Sequence, residues 1–536
     1  MNSIVRLRSL KLLTPAFFVL LWLAATPVGA QVTAFKQAVA EAASADDAVA
    51  AFYRANGYEP LWTDPGEAAR ARRAALLDAL SGAGAHGLPL NRYDPGALMQ
   101  QMRAVRTTRD LGLVEVALSR AFLGYARDVQ SGILTPSRVD EGIVREVKYR
   151  DATAQLTELA AAAAPSAYMR GLAPRTAEYR ALMKQKMRLE DLIASGGWGG
   201  TVPGGKYAPG ESGAAVIALR DRLIRMGYLD RSAARDYNGA LETAVQRFQL
   251  EHGLEPDGVA GPSTVEEINV APQERLKSVI VAMERERWLG DDRGERHILV
   301  NLTDFTAKIV DHGQVTFRTR SVVGKNLSTH RSPEFSDVME HMIVNPSWHV
   351  PRSIMTKEYL PQLQRNPNAA GHLIITDRRG RRVDRGAVDF TQFSTRNFPF
   401  DMRQPPGARN ALGRVKFMFP NRHNIYLHDT PEKALFKRES RAFSHGCIRL
   451  ADPFDFAYAI LERQSDDPKA YFGRALNSGR ETKVELVRKI PVHIIYRTAF
   501  TTPRGRTEYR RDVYGRDARI WDALQQAGVA LPSVQG

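Results

Sequence analysis

The chain holds 536 residues, with 75 Lys and Arg against 59 Asp and Glu, a formal charge of +16 with histidines neutral. That length accommodates three or four domains of about 100 to 200 residues each, and the lone cysteine, Cys447, excludes an internal disulfide framework and any C-x-x-C zinc or redox pair within one chain. Hydrophobic residues at 43% and charged residues at 25% describe a globular chain, neither disordered nor polytopic in a membrane, whose cationic surface suits polyanionic surroundings.

At the N-terminus, Arg6, Arg8 and Lys11 precede an apolar run, Leu12 to Ala25, followed by the small residues Val28-Gly29-Ala30. The run contains Pro15 and falls short of the roughly 20 residues of a spanning helix, so residues 1–30 read as a secretory signal with cleavage expected after Ala30. An uncleaved inner-membrane anchor is the alternative. Either way the body is expected outside the cytoplasm, in the periplasm, which makes nucleic acid an unsuitable partner. A lone thiol in an oxidising compartment is a liability unless it is buried or used.

Residues 31–205 show helical spacing, as in Leu76, Leu77 and Leu80 or Val116, Leu118, Phe122 and Leu123. They are expected to form a helical scaffold, ending in a Gly- and Pro-rich linker from Ser195 to Gly210. Residues 210–270 read as a compact three-helix module: Val216, Leu219 and Leu223 share one face, Leu241, Val245 and Phe248 another, and Pro262 opens a third helix at a position where its missing N–H costs nothing. After a helix around Arg275 to Trp288 the period changes to two, with strands expected at 297–302, 307–310, 315–317, 339–344, 414–419, 424–427, 483–487 and 492–496. The β-rich unit is assigned residues 275–500, residues 346–420 being an insertion without clear alternation of the size that covers a site. Residues 501–536 read as a C-terminal tail. The fold class is thus multidomain α+β.

The chemistry concentrates in Asn424-Ile-Tyr-Leu-His428-Asp429-Thr430-Pro431 and Ala442-Phe-Ser444-His445-Gly446-Cys447-Ile-Arg449-Leu450. A thiol attacks a carbonyl as thiolate and needs a base or a positive field to ionise near neutral pH. His428 closes a strand upstream, where a neighbouring strand can bring imidazole to sulfur, and Gly446 lets successive N–H groups converge on an oxyanion. These are the parts of an acyl-transfer site. A zinc site from His428, His445 and Cys447 is the weaker reading, because His-x-Cys spacing makes joint ligation awkward and no second cysteine helps.

The His-Asp-Thr-Pro strand end followed by Ser-His-Gly-Cys-Ile-Arg resembles the catalytic domain of the L,D-transpeptidases, the YkuD-type fold. The histidine-before-cysteine order separates it from papain-like and NlpC/P60 peptidases. Residues 210–270, with Ala244-Val245-x-x-Phe248-Gln249, His252-Gly253-Leu254 and Asp257-Gly258-x-x-Gly261-Pro262, resemble the peptidoglycan-binding domain. Tyr58-x-Pro60-Leu61-Trp62, Asn345-Pro346-x-Trp348, Arg403-Gln404-x-Pro406-Gly407-x-x-Asn410 and Lys416-Phe417-x-Phe419-Pro420-Asn421 extend the likeness to the large YcbB-type branch.

The resemblance implies that Cys447 is the nucleophile on the third-residue carbonyl of a tetrapeptide stem and that His428 carries the proton. It further implies release of D-Ala and a 3-3 cross-link to a second stem, with no metal or organic cofactor and with carbapenems as covalent inhibitors. Backbone N–H groups at His445, Gly446 and Cys447 would hold the oxyanion; His445 supports the cysteine or anchors its loop, and Arg449 divides between substrate carboxylate and ion pair. Trp348, Arg403 and Asn410 are candidate substrate contacts in the cap, Ser444 a turn-forming hydroxyl, and Asp429 is not assigned a catalytic place. Water as acceptor (an L,D-carboxypeptidase), a lysine of an outer-membrane protein as acceptor, and a silent wall-binding scaffold remain open alternatives.

Overall fold

A computed structural model describes residues 33–502 and 505–531; the secretory-signal expectation at residues 1–30 lies outside them. Among the described residues no helix is long and apolar enough to cross a membrane.

The N-terminal region is helical. Its longest helix, Thr108–Ser131, starts in a capping box between Thr107 and Asp110 and buries Val116, Leu118, Phe122 and Val129. These pack with Phe52, Trp62, Leu76 and Leu80 in one core. Within it the Glu115 carboxylate accepts the N–H groups of Leu61, Trp62 and Thr63, so a buried charge is held by several donors. The helix Ala177–Ala194 leaves that core. It shares Tyr179, Leu182 and Leu189 with the helix Pro272–Leu289 and with Trp521 near the C-terminus.

The module at 210–270 has the expected three helices, Ala214–Arg225, Gly239–Glu251 and Pro262–Ile268, around Leu219, Leu223, Val245 and Phe248. It is docked rather than loosely tethered: His252 stacks on Tyr509 with ring centres 5.6 Å apart, and Arg510 donates to the Glu251 carbonyl at 2.9 Å.

The C-terminal unit contains strands β1 (Arg296–Asn301), β2 (Thr306–Asp311), β3 (Gln314–Gly324), β4 (Phe335–Val344), β5 (Trp348–His349), β6 (Ile374–Thr376), β7 (Asp401–Gln404), β8 (Val415–Met418), β9 (Leu427–His428), β10 (Ala442–Ser444), β11 (Ile448–Leu450) and β12 (Thr482–Ile495). Nine of them form one sheet in the order β10-β3-β11-β9-β8-β4-β12-β1-β2, and β2 also pairs with β3, which closes the sheet on itself. The strands expected at 483–487 and 492–496 are a single strand, β12, whose register on β4 shifts between Glu485 and Ile490. Apolar residues of this sheet, among them Ile298, Met342, Phe417, Leu427 and Ile448, form the largest core with Phe456 and Ile460 of the helix Pro453–Leu461.

The 346–420 insertion carries short strands that alternation could not show: β5, β7 and β6 form a three-stranded sheet over its own core of Trp348, Leu363, Ile375, Phe390 and Met402. Its end differs from the expectation, since β8 already belongs to the main sheet.

The expectation of a C-terminal tail is corrected. Strands β13 (Ala499–Thr501) and β14 (Thr507–Tyr509) make a hairpin, and the helix Arg516–Gln526 buries Ile520, Trp521 and Leu524. Tyr514 and Arg516 are inside: the Tyr514 hydroxyl donates to Gly324 O at 2.6 Å, and Arg516, 1% exposed, donates to Ser332 O at 3.1 Å and pairs with Glu334 at 3.2 Å. Glu334 also pairs with Arg285 of the Pro272–Leu289 helix, which in turn holds Asp517 at 2.8 Å. The segment's cationic, polar sequence reads as a tail because internal pairing of the charges depends on partners distant in the chain.

Arg516→Ala removes one of the two cations on buried Glu334, leaving Arg285, and the donor to Ser332 O, and is expected to cost about 3–5 kcal/mol. Chemical denaturation checks this; a loss below about 1 kcal/mol would mean that the network contributes little.

Candidate active site

Strand alternation builds the site. Phe417, Leu427 and Ile448 are buried on the core face of β8, β9 and β11, so the residues between them face the other way. Lys416 pairs with His428 across β8 and β9, and His428 pairs with Arg449 across the parallel strands β9 and β11. One row thus reads Lys416, His428, Arg449. Two residues earlier on each of the last two strands lie Tyr426 and Cys447, joined by the Ile448 N–H donating to Tyr426 O at 3.1 Å. All five line a cleft of about 630 Å³, which the insertion covers through Trp348, Ile354, Glu358 and Leu412.

The loop before Cys447 is tightly specified. Gly446 has φ +118°, a conformation L side chains rarely adopt. Its carbonyl accepts from Ser332 Oγ at 2.6 Å, and Ser332 Oγ itself accepts from Gly324 N at 3.0 Å. Because Tyr514 and Arg516 hold Gly324 and Ser332, the C-terminal segment buttresses the cysteine loop. Ser444 is the turn-forming hydroxyl expected, donating to Cys447 O at 2.5 Å and accepting Gly446 N–H at 3.1 Å. That second bond bears on the oxyanion expectation: the Gly446 N–H is already engaged, and must leave Ser444 before it can serve an oxyanion.

The His428 ring is 4% exposed and fixed by Nδ1 against the carbonyl of Asp429, an acceptor only, so Nδ1 carries the proton and Nε2 is free to take one. Burial pushes the imidazole down to about 3, helped by the Arg449 and Lys416 cations. Burial pushes the Cys447 thiol up to about 11, against the opposing pull of Tyr426, Arg449 and Lys416. The pair is therefore neutral thiol and neutral imidazole. The two cations oppose an imidazolium and favour a sulfur anion, so they support a transient thiolate rather than a standing ion pair. The thiol also lies 3.5 Å from Asn424 O.

Asp429 is occupied structurally: its carboxylate accepts from Arg414 N at 2.9 Å and Thr430 N at 2.7 Å and pairs with Lys433 at 2.8 Å. A Cβ on Gly413, at φ +62°, would lie 2.3 Å from the Asp429 carboxyl carbon, which accounts for glycine there. Arg449 lines the cleft while its Nη1 pairs with Glu432. His445 faces the insertion, its Nε2 2.5 Å from Glu358 Oε1. Trp348 is in the insertion's core with an edge on the cleft.

Two expected substrate contacts are elsewhere. Arg403, on β7, does not line the cleft and reaches Ser347 Oγ at 3.4 Å. Asn410, 1% exposed, donates to the carbonyls of Pro346, Gln404 and Pro405 and accepts Leu412 N–H at 2.8 Å. It staples the insertion's exit loop, so its polarity serves backbone rather than ligand. Residues not singled out beforehand are Lys416, Tyr426 and Ser332. Tyr426 was reachable by counting two back from His428, whereas the other two depend on pairings the sequence does not display.

A cysteine and a buried histidine thus share one sheet face beneath an apolar-cored cap, and this is the candidate site. Comparisons with known proteins specify it: residues 295–486 match the L,D-transpeptidase catalytic domain, YkuD; residues 47–185 match a scaffold domain; and residues 212–268 match a model described as a candidate peptidoglycan-binding domain. A Haemophilus influenzae protein named as a candidate L,D-transpeptidase is 30% identical over 237 residues, 43% of this chain and 47% of that protein, so the match takes in about half the relative's length. Among solved structures, an L,D-transpeptidase fragment from Xylanimonas cellulosilytica aligns at 16% identity over 55% of this chain and 98% of its own, with a TM-score of 0.17. The Ldtfm-avibactam carbamoyl enzyme aligns at 11% over 58% and 98%, with a TM-score of 0.19. At these scores the superpositions carry no argument. The chain has the domain architecture of the YcbB-type L,D-transpeptidases.

The neutral starting pair makes a prediction. Iodoacetamide alkylation of Cys447 in the unliganded protein is expected to be slow at pH 7 and to keep rising with pH beyond about 9, above an ordinary thiol near 8.5. Arg449→Ala, by removing a cation, is expected to move that rise higher still. A rate that levels off below about pH 8 would show a standing thiolate and contradict the assignment.

Proposed function

We propose that the protein is a periplasmic L,D-transpeptidase that forms 3-3 peptidoglycan cross-links. The observation that carries this reading is the Lys416–His428–Arg449 row with Cys447 beside it, in the domain that matches the L,D-transpeptidase family.

In the first half-reaction Cys447 Sγ bonds to the carbonyl carbon of the stem's third residue as its proton passes to His428 Nε2. The C–N bond to the terminal D-Ala breaks, and His428 returns the proton to the leaving amine. In the second, the side-chain amine of another stem attacks the thioester, His428 takes a proton from it and passes that proton to the departing sulfur, so the C–S bond breaks and Cys447 leaves as thiol. Arg449, released from the exposed Glu432, is placed to meet a stem carboxylate. A covered cleft favours an amine acceptor over water. The docked peptidoglycan-binding module and the +16 charge support residence on an anionic wall polymer. Carbapenems are proposed as covalent inhibitors, since a strained acyl donor would form the same bond to Cys447.

The test is mass spectrometry of products from a disaccharide-tetrapeptide, with wild type beside Cys447→Ala. The expected outcome is a 3-3 dimer and free D-Ala with wild type only. Tripeptide without dimer would move the reading to an L,D-carboxypeptidase or to a protein lysine as acceptor, and unchanged substrate would favour the silent scaffold.

A further inference from the structure

Outside the Cys447–His428 pair, one cluster of potential ligands among the described residues joins three separate elements at the cleft. His330 lies in the segment between β3 and β4, Glu358 on a π-helical turn of the insertion spanning Met355–Tyr359, and His445 on the loop before Cys447. Their ligand-type atoms all lie within 4.8 Å of one another. The two imidazole rings sit 4.4 Å apart, and His445 Nε2 is 2.5 Å from Glu358 Oε1.

We propose that His330, Glu358 and His445 bind a divalent transition cation of the Zn²⁺ class, which ties the cap to the cysteine loop and closes the approach to Cys447. Two imidazoles and a carboxylate are the donor set that suits such an ion, whereas Mg²⁺ and Ca²⁺ prefer all-oxygen sites. At metal–ligand distances of about 2.1 Å, tetrahedral donors stand about 3.4 Å apart, so the widest donor pair has to close by at most about 1.4 Å while the His445–Glu358 pair, 2.5 Å apart, opens by about 0.9 Å. Side-chain rotation can supply that, because Glu358 and His445 are both partly exposed. Thr329 Oγ1, 2.8 Å from His330 Nδ1, supplies the second hydrogen bond that commonly fixes a ligating imidazole. A π-helical turn is a rare local geometry that recurs at functional sites, and here it carries Glu358. Three protein donors leave a fourth position for water. Neither His428 nor Cys447 is needed as a ligand, which separates this site from the acyl-transfer pair and from the His428–His445–Cys447 zinc reading considered for the sequence.

The test is titration calorimetry of the full chain with Zn²⁺ alone, in a Cys447→Ala background that removes the competing thiol. One Zn²⁺ per chain is expected, weakened at least about tenfold by Glu358→Gln and by His330→Ala. Melting curves beside each variant confirm folding, and the exposed Glu358 makes its amide the gentler change. In the thiol-intact protein Zn²⁺ is expected to slow iodoacetamide alkylation of Cys447, and Glu358→Gln to relieve most of that slowing. Three results would overturn the proposal: no Zn²⁺ binding by the Cys447→Ala protein, binding that both variants leave unchanged, or slowing as strong in Glu358→Gln as in its parent, which would place the ion on the thiol.

Discussion

The parallel pairing of β9 with β11 is the constraint from which the site follows. It sets His428 opposite Arg449 and leaves Cys447 on the same face, while Leu427 and Ile448 enter the core from the other. The side-chain period of a strand is two, so a slip of one residue would turn the histidine and the cysteine inward and expose their apolar neighbours. The core therefore enforces the site's geometry: burying Phe417, Leu427 and Ile448 on one face is what aims Lys416, His428 and Arg449 into the cleft. The short lengths of β9 and β11 are compensated from outside the sheet. Asp429 fastens the end of β9 to Arg414 N, and Ser332 fastens Gly446 ahead of β11.

That fastening connects the cysteine loop to parts of the chain far away in sequence. Ser332 and Gly324 are held by Arg516 and Tyr514; Arg516 shares Glu334 with Arg285; and Arg285 lies on the helix Pro272–Leu289, whose Glu284 accepts the N–H groups of Ile133 and Leu134 from the helical region. The scaffold, the connecting helix, the C-terminal segment and the cysteine loop thus share one line of buried polar contacts. Buried ion pairs of this kind cost much when half is removed, which explains why the C-terminal residues belong to the catalytic unit and do not trail from it. The same burial sets the protonation of the reactive pair. Burial raises the thiol and depresses the imidazole, and the flanking Arg449 and Lys416 cations favour a sulfur anion over an imidazolium.

Much of this was legible in the sequence where the signal was local. The lone cysteine after Ser-His-Gly, the histidine at a strand end and the three helices of the 210–270 module all rest on residues within a short span. Signals that depend on distant partners were not legible. Asn410 and Arg403 looked like cap residues free to meet a ligand, yet Asn410 is bound to three carbonyls and Arg403 does not line the cleft. His445 meets Glu358 across a separation of 87 residues, and Arg516 meets Ser332 across 184, distances no periodicity encodes. Strands of two to four residues, such as β5 and β7, are too short to show alternation, so the cap's sheet was hidden in a stretch that reads as loop.

The most direct test of the account is to look for the bond it requires. Rapid quenching of the protein with a tetrapeptide donor and no acceptor, followed by intact-mass and peptide mapping, is predicted to show one adduct equal to the donor minus D-Ala, placed on Cys447 and absent from Cys447→Ala. Turnover of the donor without such an adduct, or an adduct on any other side chain, would contradict the assignment of Cys447 as nucleophile.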